Sequence, residues 1–143
     1  MNKRAITAED IEFLEALQNE MLTQDTMCQA DPRFWVVRHS FNEPCWAEQA
    51  DHYAIVGTDG DKIGEIEYFE EECGAFTCVP ERKVTRNASD TFFLTLREAQ
   101  KHIARNSYNY RENPHPYAMT AWRSPQVEQL YKILQEVDWG QLK

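Results

Sequence analysis

Glycine is scarce in this chain, 5 residues among 143, which leaves little material for loops that cradle phosphates. No P-loop or dinucleotide-binding glycine pattern is present, and neither a G-x-S-x-G elbow nor an H-E-x-x-H pair occurs. Long apolar runs are missing too, and nothing approaches the length of a membrane span. The N-terminus MNKRAITAED turns from basic to acidic with no apolar stretch, so a secretory signal is not expected and a cytoplasmic protein is. Positive charge is also short: 15 Lys and Arg face 24 Asp and Glu, a net charge of −9. Such a chain repels nucleic acid as a whole and suits a basic protein partner.

What is present is enough for one compact domain. The chain is 42% hydrophobic and 12% aromatic, and a core built from that composition needs no staple. Cys28, Cys45, Cys73 and Cys78 read as free, buried thiols in a reducing compartment. A zinc site would have to join the C-x4-C pair of CGAFTC to Cys28 and Cys45 across a gap that matches no familiar pattern.

Charge is unevenly divided. Residues 1–80 hold 5 Lys/Arg against 17 Asp/Glu, residues 81–123 hold 8 against 4, and residues 124–143 hold 2 against 3. The first part is therefore acidic and the second basic, and the third reads as a C-terminal helix ending near residue 139.

The periodicity predicts three helices. Thr7 caps the first, with Asp10 in the capping-box position and Ile11, Leu14, Leu17, Met21 and Leu22 as the buried stripe to about Gln24. Thr95 caps the second, with Glu98 as its capping-box partner, a stripe of Leu96, Ala99 and Ile103, and a stop near Asn106. Ser124 caps the third, Pro125 takes its first position, and Val127, Leu130, Tyr131, Leu134 and Val137 form the stripe.

Strands are expected over 33–41 and in a hairpin of DHYAIVG and KIGEIEYF around the turn Thr58-Asp59-Gly60-Asp61. AFTCV and RKVTR read as two short strands divided by Pro80, NPHP as a proline-stiffened loop, and YAMTAW as a short extended segment. The fold class is α+β: a single domain with an antiparallel sheet of four to five strands, one N-terminal helix and two C-terminal helices.

Two constellations carry functional expectations. In the second hairpin strand Glu65 and Glu67 alternate with Ile66 and Tyr68, and Glu70, Glu71 and Glu72 extend the acidic face. These five glutamates are the candidate partner-binding surface. In the basic segment Arg105, Tyr110, Arg111, Tyr117, Trp122 and Arg123 mix guanidinium and aromatic groups as sites for nucleotides and single strands do. The plainer reading is that the aromatics plug the junction between the last two helices, with Trp122 buried there and Arg123 paired to an acidic residue of the N-terminal half. Pairing of basic and acidic faces between two copies is a further option. The four histidines read as structural or surface residues, and no catalytic residue, metal or cofactor is implied.

The C-terminal run TFFLTLREAQKHIARNSYNYRENPHPYAMTAWRSPQVEQLYKILQEVDW resembles a module of small proteins encoded by phages and prophages of Gram-positive bacteria. The N-terminal run ITAEDIEFLEALQNEMLTQDTMCQADPRFWVVR resembles their opening, while the middle, about 40–90, lies outside the resemblance. No reaction comes with it; it implies a context in the bacterial host cell, where small acidic phage proteins bind and block host proteins, anti-CRISPR proteins being the best-known class. The expected function is accordingly non-enzymatic: inhibition of a host nucleic-acid-handling protein through acidic surface. The alternative is a module that sequesters a nucleotide or short nucleic acid on the basic, aromatic segment.

Overall fold

In the computed structural model, residues 2–24, 30–67 and 77–143 are described. Helix α1 spans Ala8–Thr23, and its start is set by the reciprocal bonds of a capping box: the Thr7 hydroxyl accepts from the Asp10 amide and the Asp10 carboxylate accepts from the Thr7 amide. Helices α2, Leu96–Asn106, and α3, Pro125–Glu136, start at Thr95 and Ser124, whose hydroxyls accept amide bonds from Glu98 and Val127. These starts fall where the capping signals place them, because a Ser or Thr oxygen satisfies a helical N–H that would otherwise lack an acceptor.

Among the described residues five strands complete the α+β fold: β1 Arg33–Pro44, β2 His52–Val56, β3 Lys62–Ile66, β4 Thr77–Asn87 and β5 Glu112–Thr120. They form one antiparallel sheet in the order β3-β2-β4-β1-β5. The β2–β3 hairpin is as expected. Gly60, at φ 88°, supplies the left-handed residue of its turn, and Asp59 accepts the Asp61 amide.

Two sequence readings are corrected. AFTCV and RKVTR do not give two strands divided by Pro80; β4 runs through the proline, which stands opposite Tyr53 and uses its carbonyl to accept the Cys45 amide. The NPHP tract is likewise not a loop but part of β5. That strand lies at a sheet edge, where a proline removes no ladder bond on the open side. The cysteine reading also changes: Cys45 is free, but Cys78 takes part in a disulfide.

The contacts gather into two compact units. The first comprises Met1–Arg38, Asn87–Asn109 and His115–Lys143 and holds the apolar core: Ile11, Met21, Tyr131, Leu134 and Trp139, with Leu14, Leu17, Leu94, Val127 and Val137 packed against them. Polar bonds lock this packing. The Tyr131 hydroxyl donates to the Arg33 carbonyl (2.5 Å), Gln18 donates to the Val137 carbonyl, and the indole of Trp139 donates to the Leu134 carbonyl. At the other end of α1, Glu20 accepts from the Thr95 hydroxyl and Gln24 accepts the Leu96 amide, tying α1 to the first turn of α2. Leu22 and Leu130, assigned to buried stripes from their spacing, are exposed instead. Each stripe is narrower than its apolar pattern.

The second unit, His39–Arg86 with Tyr110–Pro114, is short of apolar interior: among its described residues only Ser40 and Ala54 are buried. Charge pairs and side-chain bonds are prominent in it. Glu43 takes both Arg82 and Arg86, Lys83 pairs with Glu112, and the hydroxyls of Ser40 and Thr85 bond each other.

Trp139 lies in a short 3-10 turn after α3, outside the periodic stripe, yet it is only 9% exposed. Trp139→Ala should therefore lower stability by about 3–5 kcal/mol, as emptying a large aromatic site does. Chemical denaturation of the purified chain reads this out.

Candidate functional site

Glu65 lies within β3 and Glu67 just beyond it, while Glu70, Glu71 and Glu72 fall outside the described residues. The register places the neighbours of Glu65. His52 faces Glu81 across β2 and β4, and Ala54 faces Glu65 across β2 and β3. Residues two apart share a strand face, so His52, Glu65 and Glu81 converge.

Lys62 completes the cluster. Its ammonium donates to Glu65 Oε1 at 2.6 Å and to Glu81 Oε1 at 3.0 Å, and Asn42 donates to the same Glu65 oxygen. The His52 ring bonds Asp51 through Nδ1 and Glu81 through Nε2, the latter at 3.1 Å. His52 and Glu81 are largely enclosed, their side chains 14% and 13% exposed.

Burial works against charge on the His52 ring, but the hydrogen bonds to Asp51 and Glu81, with Glu65 nearby, outweigh it and raise the His52 pKa. Lys62 is raised by its bonds to Glu65 and Glu81 and Glu65 is lowered by Lys62. Asp51 is lowered by the Lys83 amide and His52.

One donor atom each from His52, Glu65 and Glu81 lies within 4.8 Å of the others, a spacing that ligands of one divalent cation would share. The Lys62 ammonium already bonds both carboxylates, so the arrangement acts as a proton-linked ion cluster. Glu65, expected to meet a partner, is thus engaged within its own unit, whereas Glu67 is exposed and forms no ion pair among the described residues. Sequence reasoning did not single out Lys62 and Glu81. The hairpin signal brings Lys62 near Glu65, but Glu81 joins them only through the β2–β4 pairing.

The basic, aromatic residues are engaged locally. In the second unit Tyr110 packs edge-on against the His39 ring, Arg111 lies over Phe41, and the Arg111 amide donates to His39 Nδ1. His39 is therefore a satisfied structural histidine, as expected. In the first unit the Arg38 guanidinium lies 3.4 Å above the Tyr117 ring and also donates to Asn87. Arg123 covers the Trp122 ring at 4.3 Å, and Arg105 is exposed near the end of α2. Arg38 had no sequence signal; β1–β5 adjacency supplies it.

The expectation for Trp122 is corrected. It is 57% exposed and is no plug at the helix junction. Ser124 already fixes the start of α3, so the indole is left outside with Arg123 on its face. Arg123 forms no ion pair among the described residues, contrary to the expected bond with an N-terminal acid.

Two outcomes follow. Trp122→Ala should change stability by no more than about 0.5–1 kcal/mol, far below Trp139→Ala in the same denaturation assay. The second concerns pH. Because the folded pKa of His52 lies above its ordinary 6.5, the charged ring stabilises the fold fully below that value, and this contribution is lost as pH rises through the folded pKa. The melting temperature should fall over that interval, and His52→Gln, facing the same Asp51, Lys62, Glu65 and Glu81, should flatten the fall. Comparison with protein-family models, curated proteins and solved structures finds no match to this chain.

Proposed function

We propose that this is a non-enzymatic accessory protein of a phage or other mobile element that binds and inhibits a host nucleic-acid-handling protein through acidic surface. The observation that carries the reading is the uncompensated acidity of the N-terminal part. Glu9 and Glu12 on α1 and Glu67 after β3 are exposed and form no ion pair among the described residues. Carboxylates left facing water repel polyanions and attract the Lys- and Arg-rich surfaces that handle them. No helix of the described residues is long and apolar enough to cross a membrane.

The alternative, sequestration of a nucleotide or short nucleic acid, has less support. Stacking needs an open ring face, and one face of Tyr117 and one of Trp122 are covered by Arg38 and Arg123.

The test is capture from host lysate on the immobilised full chain. A DNA- or RNA-handling protein should be retained at low salt and released by duplex DNA. Reversal of Glu67, Glu70, Glu71 and Glu72 to lysine should weaken retention roughly tenfold without changing the melting temperature. Undiminished retention by the reversed variant sinks the proposal.

A further inference from the structure

We infer that the groove between α1 and the segment 92–98 is the docking surface for a basic amphipathic segment of a partner protein. This deepens the function proposed above and rests on it.

The groove, a cavity of about 540 Å³, is lined chiefly by Phe13 and Leu17 of α1, Phe92 and Leu94 of the lead-in to α2, and the carboxylates of Glu20 and Glu98. All belong to the first compact unit. Phe13 is 64% exposed and Phe92 59%. Two phenylalanines open to water on one groove are an unpartnered apolar surface, of the kind that marks interaction sites.

The surface is also built to stay in place. Phe92 stacks on Phe34 with ring centroids 5.0 Å apart, and Glu20 is held by the buried Thr95 hydroxyl. An anchor that enters the groove therefore meets preorganised walls, which lowers the cost of binding.

Charge identifies the occupant. Among the described residues no Lys or Arg lines the groove, and of the carboxylates on α1 Asp10 pairs with Arg4 and Glu15 with Lys143, which leaves Glu9, Glu12 and Glu20 without an ion pair. Glu9 precedes Phe13 by four residues, so it is the neighbour of Phe13 on the helix surface. A segment that buries a large apolar side chain here brings its flanks against these carboxylates. Lysine or arginine there gains Coulomb energy, while acidic flanks are repelled. An amphipathic helix laid in a groove is the recognition mode that combines one apolar stripe with such flanks. A second copy of the chain is the competing occupant, since α3 exposes Leu130 and Ile133 on either side of Lys132. The net charge of −9 on each copy opposes that pairing.

The experiment uses the full chain and three fluorescein-labelled peptides: an amphipathic helix former with a tryptophan anchor and lysine flanks, the same peptide with glutamate flanks, and a scrambled isomer of the first. Fluorescence anisotropy should show saturable, salt-weakened binding of the first alone. Phe13→Ser and, separately, Glu98→Lys should each weaken it roughly tenfold. Both side chains are exposed, and circular dichroism confirms that each variant is folded. Equal binding of the three peptides, or binding unchanged by both variants, overturns the inference. So does a dimer in sedimentation velocity that Phe13→Ser abolishes, which assigns the groove to a second copy. The two readings fail separately. If Phe13→Ser leaves host-protein capture intact while the glutamate reversals abolish it, the groove is wrong and the acidic-surface reading stands.

Discussion

Glu81 has to be neutralised inside the second unit, and much of that unit follows from how this is done. A carboxylate so enclosed is costly unless paired and hydrogen-bonded. Here it accepts from His52 on β2 and Lys62 on β3 while itself lying on β4. One acidic side chain thereby links three adjacent strands in a unit with few buried apolar residues among those described. The same arrangement engages Glu65 through Lys62 and makes the charge of the His52 ring part of the stability of the fold.

This division of labour separates structural acids from available ones. Glu43, Glu65, Glu81 and Glu112 are consumed by Arg82, Arg86, Lys62, His52 and Lys83. Acidity as a count therefore overstates the negative surface a partner would meet. Among the described residues the acids without an ion pair include Glu9 and Glu12 on α1 and Glu67 just after β3, and Glu9 adjoins the exposed Phe13. Apolar area gives a surface its affinity and charge gives it selectivity, so their coincidence at one groove is more informative than either alone.

The arginines follow a similar logic. Read as a string, Arg105, Tyr110, Arg111, Tyr117, Trp122 and Arg123 suggest a ligand site. In space the guanidinium groups near Phe41, Tyr117 and Trp122 are applied to the rings themselves. A planar, weakly hydrated cation covers an aromatic face well and keeps it tolerable to water.

Local chemistry was legible without coordinates. The caps Thr7, Thr95 and Ser124, the proline at the start of α3 and the turn at Gly60 depend on residues within a few positions, and the α+β class follows from their order. Position relative to distant residues was not. Pro80 sits within a continuous strand, opposite Tyr53 and with its carbonyl accepting the Cys45 amide, and the prolines of NPHP are accommodated because β5 is an edge. Trp139 is buried and Trp122 exposed although both flank the same helix, since burial depends on what α1 brings against that end. Likewise the pairing of β2 with β4 alone brings Glu81 to His52 and Lys62, and the approach of segment 92–98 to α1 alone creates the groove. The sequence by itself determined where the helices begin and where the β2–β3 hairpin turns, because capping and backbone preference act over single turns of chain. Tertiary structure decided which charges are spent and which surfaces remain, because pairing and burial are set between residues far apart in the chain.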